Sequence, residues 1–387
     1  MLTSRERVLK AMRREMPDRV PKYADFSPSK YQEFLEKTGL LDSNTQIRKD
    51  DKGRPSVTYD KKQERYDPAE YFNYDVRIVE FGETKYQNDY APYLPTDLPH
   101  DRTRIGEWGI AYIRGTEHHF ESMVHPLSKA RTIQEIENYP WPDVMAKYRL
   151  EIAQQRIKDV HAKGCASVGW PPLKGGTLFE TAWGLRGFEK LVEDMMIHHE
   201  FAECLFDEVA RLSFATYRFL AECGVDIVML GDDAGMQDRM LMSPSMWREW
   251  LKPRYSELIS SLKEIHPQIL IFFHSDGYVE PIIPDLIEIG VDILEPVQPE
   301  CMDPAKIKNQ YGDRLAFWGT IGTQTTLPFC TPDEIKHTVK QRIETVGRNG
   351  GLLLAPTHKI QPDVPWENIL AFFDALDEFG NYSIGMA

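Results

Sequence analysis

The stretch IFFHSDG, residues 271–277, ends an apolar run with two side chains of the metal-binding type, His274 and Asp276. Two later stretches have the same design. VDILEPVQ places Glu295 directly after an apolar run, and LLLAPTHK places His358 shortly after another. Short apolar runs of this kind are typical of strands that are buried on both faces of a parallel sheet. The three stretches therefore predict buried parallel strands, each followed by polar groups.

The whole chain repeats this alternation of short apolar runs and helical segments. Several helical segments begin with Pro behind Ser, Thr or Asp, which is a helix-start signal. The alternation predicts an α/β fold, a (β/α)8 TIM barrel. An open doubly wound sheet is the alternative, but no Gly-rich dinucleotide fingerprint follows any run. The predicted strands cover residues 20–25, 75–81, 166–170, 226–230, 269–274, 291–295, 315–318 and 352–355; the predicted helices cover 186–220 with a break near His198, 244–265, 281–289, 304–311, 332–348 and 365–379.

Two segments depart from the alternation. Residues 38–66 are charged and polar, which indicates a helix and a loop outside the repeat. Residues 83–127 are rich in Tyr, Gly, Thr and Trp, which indicates paired strands, a β-hairpin insertion after the second barrel strand. We expect one barrel domain over residues 1–387, with this insertion over the active face as a lid or a partner surface.

Composition excludes several classes of protein. The 387 residues carry a formal net charge of −14 and show no basic stripe, which argues against a nucleic-acid partner. No apolar run approaches membrane-spanning length, and the opening MLTSRERVLKAMRRE is typical of a charged amphipathic helix and not of a signal peptide. We therefore expect a cytoplasmic protein without membrane contact. The five scattered cysteines argue against a disulfide framework.

The polar groups that follow the apolar runs predict a metal site. In an α/β barrel the carboxyl ends of the strands meet at the active face. His274 and Asp276 are two residues apart and can point to one side, while Glu295 follows a neighbouring strand about 5 Å away. With His358 they form a predicted set of four nitrogen and oxygen ligands for a catalytic divalent metal, and Zn2+ is the favoured ion. Three of the four residues have a simpler reading. Asp276 begins a turn, Glu295 caps a helix or pairs with an Arg, and His358 is a loop histidine.

Four blocks of sequence carry a resemblance to the uroporphyrinogen decarboxylase-like superfamily. They are ERVLKAMRREMPDRVPKY, DIVMLGDDAGMQDRMLMSPSMWREWLKPRY, FFHSDGYVEPIIPDLIEIGVDILEP and GGLLLAPTHKIQPDVPWENI. The resemblance spans nearly the whole chain and is weakest in residues 38–70 and 83–127. It implies a (β/α)8 barrel. It also implies either decarboxylation of uroporphyrinogen or zinc-dependent methyl transfer with a corrinoid protein.

Within this superfamily the sequence resembles the methyltransferase branch more than the decarboxylases. True decarboxylases carry an Arg-rich motif after the first strand, whereas YADFSPSKYQEF contains no Arg here. The methyltransferases carry a His-x-Cys pair, an acidic residue on the next strand and a late Cys. In this chain the resemblance places His274 and Asp276 at the pair, Glu295 at the acidic residue and His358 at the late Cys. Asp276 and His358 thus stand where thiolates are expected. A zinc ion bound by carboxylate and imidazole in place of thiolates is a harder Lewis acid, and it prefers oxygen ligands.

The predicted function follows from that substitution of ligands. We expect a corrinoid-dependent methyltransferase, the O-demethylase component that moves a methyl group from a methoxylated aromatic (a phenyl methyl ether) to the cobalt(I) of cobalamin on a separate corrinoid protein. A homodimer is the expected assembly. One alternative is transfer from a methylcorrinoid to another acceptor. Others are a decarboxylase or lyase of a small carboxylic acid, with Asp75 or Asp233 as the acid–base group, and a non-catalytic barrel that binds a corrinoid or a partner protein.

Three further residues are predicted to act at the site. Asp232 and Asp233 follow the fourth apolar run in GDDAG. We predict Asp233 to be catalytic, together with His274 and Glu295, and Asp232 to contact the cofactor, because such a carboxylate binds substrate or orients a metal-bound imidazole. Trp170 ends the third run and is the expected wall for a flat aromatic ring or for the corrin face. The simpler readings are turn-capping carboxylates and a core or rim aromatic.

Overall fold

A curled parallel sheet with helices around it organises the chain, in a computed structural model that describes residues 2–40, 48–49, 55–56, 67–114, 121–173 and 175–382. The strands are β1 (Arg48–Lys49), β2 (Pro55–Ser56), β3 (Val76–Glu80), β4 (Thr103–Ile105), β5 (Ala111–Arg114), β6 (Glu121–Val124), β7 (Ala166–Trp170), β8 (Ile227–Gly231), β9 (Leu270–His274), β10 (Ile293–Glu295), β11 (Ala316–Ile321) and β12 (Leu352–Pro356). The helices are α1 (Ser4–Met12), α2 (Pro28–Lys37), α3 (Pro68–Tyr71), α4 (Ile133–Glu137), α5 (Lys147–Ala162), α6 (Phe179–Arg186), α7 (Phe188–Ile197), α8 (His199–Glu222), α9 (Pro244–Trp250), α10 (Lys252–Ile265), α11 (Ile283–Glu288), α12 (Pro304–Tyr311), α13 (Thr326–Phe329), α14 (Pro332–Thr345) and α15 (Trp366–Phe379).

The sheet has the strand order β3-β7-β8-β9-β10-β11-β12, and every neighbouring pair is parallel. Parallel neighbours require a crossover connection, and helices supply it between successive strands. Strands such as β11 and β12 are buried along their whole length, because helices cover the outside and side chains fill the inside. The predicted α/β fold, a TIM barrel, is confirmed.

The eighth position of the barrel is irregular. Residues 20–25, predicted as the first strand, form isolated bridges and no named strand among the described residues. Lys22 bridges Leu354 of β12 in parallel, and its carbonyl oxygen accepts a hydrogen bond of 3.1 Å from the backbone N–H of Asp75, just before β3. Pro21 has no N–H to donate, so it interrupts a regular ladder here. The segment therefore joins the two edges of the sheet by a few backbone hydrogen bonds, two to Leu354 of β12 and one from Asp75 before β3.

Helix α1 packs against the interior of the barrel. Its buried residues Val8, Ala11 and Met12 belong to one apolar cluster with side chains of the parallel strands. A capping box fixes the start of the helix, because the Thr3 side chain accepts from the Glu6 N–H while the Glu6 carboxylate accepts from the backbone N–H of Thr3. The strand members of the cluster are Val76, Ala166, Val168, Ile227, Leu270, Phe272, Ile293, Ala316, Trp318, Leu353 and Ala355.

Asp75 lies in an ion network at the amino-terminal end of the strands. It is fully buried and accepts hydrogen bonds from Arg7 at 2.8 Å, from both terminal nitrogens of Arg19 at 2.9 Å and from the Lys22 N–H at 3.0 Å. Since Asp75 precedes β3, it lies at the end of the barrel opposite the loops that follow the strands. The acid–base role that we considered for it from the sequence is therefore wrong, because its oxygens are taken up by structural contacts.

The helices agree with the sequence pattern with one exception. The predicted break near His198 is confirmed, because α7 ends at Ile197 and α8 begins at His199. The helix predicted over residues 244–265 is two helices, α9 and α10, which meet at Leu251. A proline in the first turn of α10 explains the break, since it has no N–H with which to continue α9.

The insertion after β3 is a small antiparallel sheet of order β4-β5-β6, one strand more than the predicted hairpin. It packs against the segment that follows β7, because the Trp108 indole N–H donates to the Pro172 carbonyl oxygen at 3.1 Å.

Within residues 38–66, β1 and β2 pair antiparallel. The rest of this segment, where we predicted a helix and a loop, lies largely outside the described residues. None of the described helices combines the length and apolar character needed to span a membrane.

Candidate metal centre

The predicted site residues follow four strands of the barrel. Asp233 comes two residues after β8, His274 ends β9, Glu295 ends β10 and His358 comes two residues after β12. Parallel pairing aligns the ends of these strands, and Glu295 stands directly beside His274 in the register of β10 and β9. All four therefore lie at the carboxyl-terminal face of the barrel, where TIM-barrel enzymes carry their active sites.

Asp233, His274 and Asp276 form a cluster of potential metal ligands. One ligand atom from each side chain lies within 4.8 Å of the others. The Asp233 Oδ1 atom is 3.4 Å from His274 Nε2 and accepts a hydrogen bond of 2.8 Å from the Asp276 backbone N–H. Asp276 Oδ1 is buried and has no hydrogen-bond partner among the described residues. A buried carboxylate oxygen without a donor is costly unless a cation fills the gap, so this cluster fits a metal ion.

Glu295 contacts His274 on the other side of the imidazole ring. Its carboxylate forms a short hydrogen bond with His274 Nδ1. Burial alone would lower the pKa of His274, but the charge and the hydrogen bond of Glu295 raise it well above 6.5, and two aspartates add to the effect. A carboxylate on Nδ1 fixes the orientation of the ring and leaves Nε2 toward the cluster. The geometry gives Glu295 the position of an orienting partner of His274.

Three carboxylates and two imidazoles act on one another around the cluster. The pKa of Asp276 is raised to about 6, chiefly by burial; the charges of Asp233 and Glu295 also raise it, whereas His274 and His358 lower it. Carboxylates crowded together resist simultaneous ionisation. A divalent cation would remove this conflict by neutralising the excess charge, so the electrostatics point in the same direction as the unpartnered oxygen.

A cavity of about 190 Å³ opens beside the cluster. Its walls are mixed: Trp170, Tyr217 and Met229 give apolar surface, while the polar groups stand together on the side of His274. Small-molecule sites typically combine apolar walls with a few convergent polar groups. The residues around the cavity are Trp170, Pro171, Leu173, Gly175, Gly176, Thr177, Glu180, Tyr217, Met229, Leu230, Gly231, Asp233, His274 and His358.

His358 and Trp170 both line this cavity, although neither belongs to the three-residue cluster. His358 is an exposed residue whose charge acts on Asp276. Trp170 is half-buried at the end of β7, in a position to face a flat ligand. The structure thus brings all four predicted ligands to one face of the barrel. Two of them, His274 and Asp276, form the three-residue cluster together with Asp233.

Asp232 makes structural hydrogen bonds, whereas the sequence predicted that it contacts the cofactor. It is 1% exposed, and its carboxylate accepts from the backbone N–H groups of Leu178 and Glu180 and from the Tyr255 hydroxyl. Burial raises its pKa to about 6, against the lowering effect of these hydrogen bonds. With its oxygens engaged by α6 and α10, Asp232 anchors the start of α6 beside the cavity.

Sequence reasoning missed Glu180 and the loop before it. Glu180 lines the cavity, and its Oε2 atom accepts from the Asp233 backbone N–H at 3.4 Å. The signal for this loop is the pair Gly175-Gly176. A Cβ atom on Gly176 would lie 2.1 Å from Asp232 Oδ1 and 2.7 Å from Glu180 Oε2, so only glycine allows this approach.

The chain belongs to the uroporphyrinogen decarboxylase (URO-D) family, because residues 115–379, more than half of its length, match that family. Among its relatives, the methylcobamide:CoM methyltransferase MtaA of Methanosarcina barkeri is 28% identical over 248 residues, which are 61% of this chain and 66% of that protein. A uroporphyrinogen decarboxylase of Coxiella burnetii is 25% identical over 181 residues, 45% of this chain and 46% of that protein. The chain thus spans less than two thirds of these relatives.

A solved structure, described as a methyltransferase from Methanosarcina mazei, has the same fold over nearly the whole length. The two chains align with a TM-score of 0.66 at 22% identity, over 98% of this chain and 99% of the other. The likeness extends across the barrel and confirms its architecture. The family resemblance read from the sequence is confirmed as well.

Proposed function

We propose that this protein is a zinc-dependent methyltransferase that moves a methyl group from a methoxylated aromatic compound to the cobalt(I) of a corrinoid protein. The cluster of Asp233, His274 and Asp276 carries the proposal. It stands at the catalytic face of the barrel, its ligand atoms lie within 4.8 Å of one another, and one buried carboxylate oxygen has no partner among the described residues. Three protein ligands with a fourth position open to substrate are typical of catalytic zinc.

The types of ligand support an oxygen-bound methyl donor. Two carboxylates and an imidazole make a harder site than thiolates would, and such a site prefers an oxygen ligand. Zinc bound there would act as a Lewis acid toward the ether oxygen of the donor. Glu295 would hold His274 in the orientation for binding, and Asp233 would fix the backbone of Asp276 through its hydrogen bond.

The cavity supports a donor with one aromatic ring. A cavity of about 150 Å³ is known to hold benzene, and this one measures about 190 Å³. Trp170 and Tyr217 offer ring faces and Met229 offers a soft apolar contact, as a flat aromatic ligand requires. The volume is far below that of a tetrapyrrole, so the corrin would stay on its own protein and present its cobalt at the opening.

The charge of the cavity argues against uroporphyrinogen as the substrate. Among its described lining residues there is no Arg or Lys, and the ionisable groups are Glu180, Asp233, Tyr217 and two histidines. A substrate with many carboxylates would be repelled by the carboxylates of Glu180 and Asp233. This agrees with the absence of Arg from residues 23–34.

A cobalt(I) corrinoid assay tests the proposal directly. Purified protein, loaded with one equivalent of Zn2+, is mixed with a cobalt(I) corrinoid protein and a panel of methoxylated aromatics. Methyl transfer converts the cobalt(I) spectrum to that of methylcobalt and releases the corresponding phenol. Loss of both signals in His274→Ala, with a fold preserved by circular dichroism, is the expected control. No transfer from any donor at full zinc occupancy would refute the proposed donor class.

A second candidate function is the transfer of a methyl group from a methylated corrinoid to a thiol. The observation in its favour is the similarity to a methylcobamide:CoM methyltransferase. The absence of cysteine from the cluster found among the described residues argues against it, because thiol acceptors suit sulfur-rich zinc. The same assay run from methylcobalt with added thiol separates the two: decay of the methylcobalt spectrum only with thiol would favour this second candidate.

A further inference from the structure

We propose that Gln298 is a positioning residue that holds Asp276 in the orientation needed for metal binding. The inference rests on the proposed metal site and extends it to a residue outside the ligand cluster. Gln298 is 5% exposed, although glutamine is usually a surface residue. Its Oε1 atom accepts a short hydrogen bond from the backbone N–H of Gly277, the residue that directly follows Asp276. A buried amide bonded to a neighbouring loop requires an explanation by structure or by function.

The backbone around Asp276 is held at two consecutive N–H groups. Asp233 Oδ1 accepts from the Asp276 N–H at 2.8 Å, and Gln298 accepts from the Gly277 N–H. Gly277 has a φ of +80°, and a Cβ atom there would lie 2.6 Å from the carbonyl carbon of Gly235, so the chain passes through a narrow gap. The two acceptors therefore determine where the Asp276 side chain starts and which way it points.

The segment that carries Gln298 is itself fixed from both sides. The Ser275 N–H donates to the Glu295 carbonyl oxygen at 3.0 Å, and the Thr320 N–H donates to the Pro296 carbonyl oxygen at 3.0 Å. Val297 has a φ of +48°, a left-handed conformation that is rare for a β-branched residue and strained. This turn brings Gln298 toward the loop after β9. Strain of this kind persists where the surrounding structure requires one geometry.

Opposing charges around Asp276 explain why a backbone restraint matters. The charges of Asp233 and Glu295 repel the Asp276 carboxylate, while those of His274 and His358 attract it, so charge alone does not fix its orientation. Without the Gln298 acceptor, the loop of residues 275–277 would keep only one of its two backbone restraints beside Asp276. The carboxylate would then turn toward solvent and lower the affinity of the cluster for a metal ion.

Two substitutions and a matched control separate positioning from general stability. Gln298→Met keeps the volume and removes the acceptor, whereas Gln298→Glu keeps an acceptor for the Gly277 N–H. The control is Asn368→Leu, because Asn368 is equally buried and its amide donates to the Leu327 and Cys330 carbonyl oxygens, outside the cavity lining. Zinc affinity is measured by competition with a chromophoric chelator. The visible spectrum of protein loaded with inorganic Co2+ reports the ligand geometry, and thermal unfolding of the metal-free protein reports stability.

We expect Gln298→Met to weaken zinc binding about 10–100-fold, the usual effect of losing a residue that orients a ligand. Its Co2+ spectrum should change, Gln298→Glu should bind within about threefold of the wild type by the same reasoning, and Asn368→Leu should lose stability alone. Equal zinc affinity and an unchanged Co2+ spectrum in Gln298→Met would overturn the inference, as would equal losses in Asn368→Leu. If the wild type binds zinc but transfers no methyl group, the proposed reaction fails while this positioning role is still decided by the same titrations.

Discussion

Replacing Glu295 with Gln tests whether this carboxylate orients His274 or binds the metal itself. The structure favours orientation, since the Glu295 carboxylate is hydrogen-bonded to His274 Nδ1 and Asp233 stands near Nε2, 3.4 Å away. Its side chain is 12% exposed, so the hydrogen bond is largely protected from water. Gln keeps the size and one acceptor of Glu but removes the charge. The substitution therefore perturbs the interaction without creating a cavity.

The two roles predict different losses of zinc affinity. Loss of an orienting carboxylate typically costs 10–100-fold in metal affinity, about 1.4–2.7 kcal/mol. Loss of a ligand costs more: four ligands of a structural zinc site share about 10–16 kcal/mol, so that one ligand contributes roughly 2.5–4 kcal/mol. The expected result for Glu295→Gln is the smaller loss, while His274→Ala should show the larger one.

Competition with a chromophoric chelator at fixed pH and ionic strength measures both variants against the wild type. Thermal unfolding of the metal-free proteins serves as the control for folding. A loss in Glu295→Gln as large as that in His274→Ala would refute the orienting role and would make Glu295 a ligand. Unchanged affinity would refute any part for Glu295 in holding the metal; the catalytic role predicted from the sequence is tested by the methyl-transfer rate of the same variant.

Three other predictions concern the stability of the fold. Asp75→Ala should destabilise the protein by about 1–3 kcal/mol, because Arg7, Arg19 and the Lys22 N–H lose a buried acceptor while Arg7 keeps its ion pair with Asp18; urea unfolding measures this, and zinc affinity of the folded variant should stay at the wild-type value. Gly176→Ala should cost about 1–3 kcal/mol by overpacking against Asp232, read from the same unfolding curves; a neutral result would contradict the close approach. Burial lowers the pKa of Lys308 to about 8, so the folded state releases its proton before the unfolded state does. Stability should therefore rise with pH from about 8 to 10.5 relative to Lys308→Met, by at most on the order of 3 kcal/mol; parallel pH profiles of the two proteins would exclude this.

Local pattern was enough to predict most of the barrel. Apolar runs bounded by polar residues gave strands such as β9 and β12, and the break between α7 and α8 was visible near His198. The errors arose where one residue overrides a pattern. Pro21 reduces the first strand to isolated bridges, and a second proline in the first turn of α10 divides the helix predicted over residues 244–265.

The candidate site was predictable in type but not in arrangement. The sequence indicated which strand ends carry imidazoles and carboxylates, because their position after an apolar run is a local property. It assigned Asp232 to the cofactor, whereas the structure uses that carboxylate to hold α6. The sequence also predicted Glu295 as a metal ligand, and in the structure the Glu295 carboxylate is hydrogen-bonded to His274 Nδ1. Neighbouring carboxylates in one sequence motif can point to opposite sides of a turn, and only the folded backbone decides which one faces the cavity.

The sequence alone determined the architecture, the family and the face of the barrel on which metal-binding side chains appear. The architecture and the face follow from periodicity and from residue type at strand ends, which are encoded within a few neighbouring positions, whereas the family follows from the resemblance of four sequence blocks. Tertiary structure alone decided that Asp233 joins His274 and Asp276, and that Gln298, in the loop after β10, accepts a hydrogen bond from the Gly277 N–H. The physical reason is distance: a ligand set requires atoms from different loops to meet within a few ångströms, and that depends on backbone turns such as those at Gly277 and Val297.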